Sequence, residues 1–208
     1  MTNGISPIHP ITKYIATLSL MCIFLALSGC GGEDGDEEPG ATSEFYFRFR
    51  LDGVQQNYPM VKGQINLIGS DGYDNGTDKH VINIAGIKNI HESGKETVTV
   101  FLGDSDGIPT GVNFSNFPDQ GDDYPDFIFN MGYYDKEGNI YVAGGQGDSQ
   151  IFTELYEPAF VKFLEITDTY ISGTFSGTLI DYETSGGINV FMGSVEITDG
   201  EFKVKRSK

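Results

Sequence analysis

Tryptophan is absent from this 208-residue chain, and cysteine, histidine and basic residues are scarce. There are two Cys, three His and 13 Lys plus Arg, against 30 Asp plus Glu. Without Trp the chain lacks the usual stacking platform for sugars. Cys22 and Cys30 both lie in the first thirty residues, so the rest of the chain can form no disulfide, thiol site or cysteine-based zinc site. The formal charge is −17, and residues 1–29 contribute only Lys13, so removing them leaves −18. That balance excludes nucleic acid, which needs a basic footprint, and adsorption onto an anionic bilayer.

Catalytic patterns are missing too. His9, His80 and His91 form no H-x-H or HExxH pattern, and there is no G-x-S-x-G elbow or P-loop. Metal-hydrolase, acyl-transfer and phosphoryl-transfer chemistry therefore have no support, and the expectation is a protein that is not an enzyme. The alternative is a carbohydrate-active or other hydrolytic surface enzyme. It would need two carboxylates held across a sugar ring, which thirty acids permit but do not specify. Tyr124, Tyr133, Tyr134 and Tyr141 would then have to replace Trp as stacking surfaces, although strand tyrosines usually pack on a sheet.

No run is long enough to span a bilayer as a helix. The longest apolar stretch, 15–27, reads IATLSLMCIFLAL. It fits a signal h-region and falls short of the ~17–25 residues a span requires. Leu27, Ser28, Gly29 and Cys30 follow at once. Small residues before the cut let an extended chain enter a peptidase cleft, and the cysteine thiol accepts diacylglycerol. This quartet resembles the bacterial lipobox, which implies a signal peptide at 1–29 and Cys30 as a lipidated residue. Two or three acyl chains of palmitate type, at about 0.8 kcal/mol per buried CH₂, make such an anchor effectively permanent.

The next stretch, GGEDGDEEPG, holds Glu33, Asp34, Asp36, Glu37 and Glu38 and no apolar side chain. It predicts a disordered acidic linker over 30–42. An acidic run just behind the lipidated cysteine resembles the surface-export signal of Bacteroidetes lipoproteins. The resemblance implies recognition by lipoprotein export machinery and display on the outer face of the outer membrane. The alternative address is its periplasmic face.

Beyond residue 40 no window has helical periodicity with caps. Period two takes over: Phe45, Phe47, Phe49 and Leu51 alternate with Tyr46, Arg48 and Arg50. Asp52-Gly53 marks a hairpin leading to a return strand at 54–58. Further strands are expected at 63–68, 80–87, 97–102, 126–134, 140–143, 160–167, 170–181, 188–197 and 201–205. Turns are expected at Asp71-Gly72, Asn75-Gly76, Glu137-Gly138-Asn139, Gly186-Gly187 and Asp199-Gly200. About ten short strands predict one all-β domain over 43–208, an antiparallel β-sandwich or barrel. The run 103–125 is too polar and broken for long strands, although 112–114 can pair briefly, and it reads as a functional or mobile loop.

Both ends of this domain resemble small Bacteroidetes lipoproteins grouped as domains of unknown function. The residues that carry the likeness are Ile171-Ser172-Gly173-Thr174-Phe175 (I-x-G-T-F), Ile197-Thr198-Asp199-Gly200-Glu201-Phe202 (I-T-x-G-x-F) and the opening FRFRLDGVQQNYP. The resemblance implies an all-β fold and an envelope address, and no catalytic residues. Physically, Gly173 and Gly177 would relieve crowding beside Phe175 where the sheet bends or a ring crosses the backbone.

Acidic loops raise a last possibility. Asp71, Asp74, Asn75 and Asp78 form one cluster, Asp104 and Asp106 a second, and Asp119, Asp122, Asp123 and Asp126 a third. Ca²⁺ takes 6–8 oxygen ligands of this kind, so the first cluster is a candidate metal site and a calcium-stabilised binding module an alternative function. No cluster fits the EF-hand register: with Gly76 in the glycine place, Tyr73 and Ile82 fall on ligand positions. The leading expectation is a cofactor-free binding or accessory lipoprotein whose partner is a glycan or another envelope protein.

Overall fold

The computed structural model describes residues 43–92, 94–116, 127–145, 157–185 and 188–207. The segment 1–29, Cys30, the acidic linker to residue 42, Gly186-Gly187 and the third acidic cluster with Tyr124 lie outside the described residues. The described chain is all β, with one 3-10 turn at Ile90–Glu92. None of its helical structure is long and apolar enough to cross a membrane.

Eleven strands form in chain order. They are β1 (Tyr46–Leu51), β2 (Val54–Pro59), β3 (Leu67–Asp74), β4 (Lys79–Ile87), β5 (Thr97–Asp104) and β6 (Asn113–Ser115). Then come β7 (Phe127–Tyr134), β8 (Ile140–Gly145), β9 (Ala159–Ile166), β10 (Tyr170–Ser185) and β11 (Ile188–Ser207). Alternation dictates their faces. Phe47 and Phe49 are fully buried, whereas Arg48 and Arg50 between them are exposed. The β1–β2 turn is set by Asp52 and Gly53, both with φ near the left-handed region at 48° and 77°.

Pairings run β2-β1-β11-β3-β4-β5-β7-β8-β10-β9-β6, and β10 also pairs with β11. The result is one eleven-stranded sheet closed on itself, made of a six-stranded antiparallel run β2-β1-β11-β10-β9-β6 and a five-stranded antiparallel run β3-β4-β5-β7-β8. They join at two seams. One is the single antiparallel pair Ile180↔Val142; the other is a parallel pairing of Arg206 and Ser207 with Gly69 and Ser70. The expected all-β fold of predominantly antiparallel strands is what forms, and its one parallel seam has a topological reason. The closed circuit β11-β3-β4-β5-β7-β8-β10 has seven members, and strand direction cannot alternate around an odd ring.

Two expected turns resolve differently. Asp71-Gly72 lies inside β3, paired with Ile82 and Val81, because that strand starts at Leu67 and ends at Asp74. Asp199-Gly200 does not split β11 either. The strand continues through it with a register shift against both β10 and β1, and Asp199 takes φ 51°. It is a β-bulge, which bends a strand without ending it.

The inward faces of the strands meet in an aromatic core. Phe47 stacks on Phe202 at 5.7 Å and lies 4.9 Å from Phe175; Phe49 meets Tyr58 at 5.5 Å and, across the core, Tyr133 at 6.4 Å. Such pairs add about 0.5–1.5 kcal/mol each to area burial. Arg206 fastens the parallel seam. It donates to both carboxylate oxygens of Asp71 and, at 2.6 Å, to the carbonyl of Thr167.

One core group is poorly matched. Tyr58 is 1% exposed and its hydroxyl has no hydrogen-bond partner among the described residues. Burial pushes its ionisation well above the ordinary tyrosine range. An orphaned buried hydroxyl costs about 1–3 kcal/mol. Tyr58→Phe is therefore expected to raise unfolding stability by about 1 kcal/mol, read from urea denaturation. A loss of stability in Tyr58→Phe would show that the hydroxyl has a partner.

Candidate functional site

On the outward side of β2-β1-β11-β10-β9-β6, one row of side chains is polar from edge to edge, while Val54, Phe160 and Leu164 are exposed apolar residues on these strands. The strand registers bring one side chain from each strand into the row: Asn57 (β2), Arg48 (β1), Glu201 (β11), Thr174 (β10), Lys162 (β9) and Asn113 (β6). Each belongs to a strand whose neighbouring positions point into the core: Tyr58, Phe47, Phe202, Phe175, Val161 and Phe114 are all buried.

The row is held by charge pairs. Arg48 donates to Glu201 through Nε at 2.9 Å and Nη2 at 2.5 Å, and its guanidinium lies 4.4 Å over the Tyr46 ring. The hydrogen bonds with Glu201 push the Arg48 guanidinium further up, so it is always charged. Arg50 pairs with Asp199 at 3.3 Å, and that acid is presented by the β11 bulge. Farther along, Lys203 lies 3.2 Å from Glu44 and 4.4 Å over the Tyr170 ring, whose hydroxyl donates to Glu165 at 2.8 Å.

Two depressions open on this face. One of about 490 Å³ is lined by Arg48, Arg50, Gln55, Asn57, Asp199 and Glu201. Another of about 260 Å³ lies beside it over β10 and β9, with Thr174, Ser176 and Phe160 in its lining. They share Asp199 and Glu201 in their linings, so they adjoin, and together they are called the trough. Ser172, Thr174 and Ser176 give β10 a strip of short hydroxyl side chains between longer ones on β11 and β9.

The bulge that aims Asp199 depends on glycine. A Cβ on Gly200 would lie 2.2 Å from the Phe175 carbonyl oxygen and 2.7 Å from its ring. A Cβ on Gly173 would lie 2.3 Å from the Lys162 carbonyl oxygen and 2.6 Å from the Phe202 ring, and one on Gly177 2.5 Å from the Ala159 Cβ. Glycine at these positions lets rings and backbone close up beneath the face.

The residues singled out as a calcium cluster do not converge. Asp71 is taken by Arg206; Asp74 accepts from Thr77 Oγ1 at 2.8 Å and from the Gly76 amide at 2.9 Å; Asp78 accepts from the Tyr73 hydroxyl; Asn75 sits in the β3–β4 turn. These turn bonds, Thr77 first, hold the Asp74 carboxyl below its usual range. Asp104 likewise accepts from the Asp106 amide at 2.7 Å. Among the described residues no three His, Cys, Asp or Glu side chains form a metal-holding group.

The remaining candidates are scattered. His80 on β4 meets Tyr73 edge-on at 5.1 Å, and His91 sits in the 3-10 turn. Tyr133 is a core residue whose hydroxyl burial pushes up to about 12; Tyr134 and Tyr141 are also raised by burial. Of the loop 103–125, β5 absorbs the start, and Asn113–Ser115 forms an edge strand on β9, one residue beyond the expected pairing. The trough itself was not foreseen. The alternation of Arg48 and Arg50 with Phe marks them as facing outward, but no local signal tells that β11, β10 and β9 lie beside them. Compared with known protein families, curated proteins and solved structures, the chain has no match.

Proposed function

We propose that this chain is an outer-membrane lipoprotein, lipid-anchored through Cys30 and displayed at the cell surface, whose β domain binds an envelope ligand without catalysis. The anchor reading is supported by Leu27-Ser28-Gly29-Cys30 behind a 13-residue apolar run, and the address by the acids of the linker. The lipoproteins it resembles, those of Bacteroidetes, share its I-x-G-T-F and I-T-x-G-x-F strands. The observation that carries the binding reading is the pair of adjoining polar depressions on the outward face of β2, β1, β11, β10 and β9. Its carboxylates, Glu201 and Asp199, each sit beside a guanidinium. That arrangement presents fixed planar hydrogen-bonding groups and suits recognition rather than proton transfer.

The test uses the full-length chain in detergent to retain envelope material from the native host. Arg48→Ala with Arg50→Ala is expected to reduce retention at least tenfold while leaving the circular dichroism spectrum unchanged, since both side chains are exposed. Equal retention by that double variant would move binding off this face.

A second reading, contact with another envelope protein, is favoured by one feature. Residues 182–185 and 188–191 pair with each other at the far end of the β10–β11 ladder. This ribbon and the register shift next to it expose Val190, Phe191 and Met192 at 47–53%. Consecutive exposed apolar residues are uncommon on a monomer surface and mark protein contacts.

A further inference from the structure

We infer that the trough takes a neutral polyhydroxylated chain, a glycan without charged substituents, lying across the strands. The inference rests on the binding reading above and narrows it to one ligand chemistry.

Charge balance comes first. The chain is strongly acidic overall, yet the charged groups lining the trough are two guanidiniums and two carboxylates, paired as Arg48–Glu201 and Arg50–Asp199. An anionic ligand would meet both carboxylates, and a cationic one both guanidiniums. A neutral ligand that donates and accepts hydrogen bonds meets neither penalty, and it can use the free edges of groups already fixed in place.

Shape and chemistry agree with this. Guanidinium, carboxylate and carboxamide groups are planar forks that match neighbouring hydroxyls on a sugar ring, and Arg48, Arg50, Gln55, Asn57 and Glu201 supply all three. The strands follow one another at about 4.8 Å, close to the length of one sugar residue in a chain. A glycan crossing them would meet a polar group at each step. Thr174 and Ser176 leave room for a ring to settle between the longer side chains.

Two aromatic rings stand in the trough's lining, and of these Phe175 is buried beneath it. Phe160 on β9 is 36% exposed and lines the second depression. Tyr46 is covered by the Arg48 guanidinium and Tyr170 by Lys203. Phe160 is therefore the platform for the apolar C–H face of a sugar at the β9 end.

The test is an array of immobilised oligosaccharides, neutral (glucan, mannan, galactan, xylan), acidic (uronate, sulfated) and amino-sugar. It is probed with the detergent-solubilised full-length chain. Signal is expected on at least one neutral series and at least tenfold weaker on the acidic ones. It should change less than twofold between low and high salt, because no ion pair is made to the ligand. Phe160→Ala should reduce the neutral signal at least tenfold with folding unchanged. Preference for acidic or amino-sugar glycans with salt sensitivity, lost in Phe160→Ala, would overturn the neutral-ligand inference and keep the binding face. Neutral binding untouched by Phe160→Ala and by Arg48→Ala would overturn both. Silence on every glycan, with a protein crosslinked to Thr174 on cells, would overturn the inference alone; silence with no crosslink would overturn both.

Discussion

Gly200→Ala is expected to cost about 3–5 kcal/mol, a large share of the about 5–15 kcal/mol that holds a typical domain folded. The added carbon falls 2.2 Å from a backbone oxygen, that of Phe175, and 2.7 Å from its ring. A flexible side chain could swing away, but this carbonyl belongs to the β10–β11 ladder at the paired position Phe175↔Gly200. Relief requires separating the two longest strands, above a core that contains Phe47, Phe175 and Phe202. Ordinary overpacking costs about 1–3 kcal/mol because side chains can adjust; here the backbone must. Gly72→Ala is the control: it also lies in a strand, nothing is within 4 Å of its Cβ, and the expected change is within about 0.5 kcal/mol. Urea midpoints of the two variants decide. Similar midpoints would mean that β10 and β11 are not packed as described.

Cys30→Ala is expected to abolish anchoring altogether. The thiol is the only group at that site able to accept the lipid, and no other Cys follows it. The variant should retain its apolar leader or be cut elsewhere, and it should lose the acyl mass on the N-terminal peptide. The companion variant replaces Glu33, Asp34, Asp36, Glu37 and Glu38 with Ser or Gln. It should keep lipid and fold, because those residues precede the β domain, yet lose surface exposure to protease on intact cells. Normal lipid partitioning of Cys30→Ala would refute the anchor. Unchanged protease exposure of the neutralised variant would reduce the acids to a spacer.

Period-two alternation made most strands legible, because a strand with one buried face writes that face into every second residue. Phe47 and Phe49 against Arg48 and Arg50 is the clearest case. Turn signals were less dependable. Asp-Gly favours positive φ, but a bulge uses that preference as readily as a hairpin does. Asp199-Gly200 therefore gave no means of telling a bend within β11 from its end. The parallel seam was hidden for another reason: it follows from the parity of a closed ring, and neighbour relations between distant strands have no local signature. The same applies to the trough. Asn57, Arg48, Glu201, Thr174 and Asn113 are spread from residue 48 to residue 201, and each alone is an ordinary outward-facing residue. Of the aspartates grouped as a cluster, Asp74 accepts a hydrogen bond within its turn and Asp71 pairs with Arg206, contacts between residues far apart in sequence in the second case.

The measurement closest to the central claim is photo-crosslinking on intact cells of the native host. A benzophenone side chain is placed at Thr174 in the trough, at Asn83 on the five-stranded run, or at Phe191 on the ribbon. If the polar face is the binding surface, Thr174 yields a discrete adduct and Asn83 yields none. Adducts from Asn83 or Phe191 alone, with none from Thr174, would contradict it.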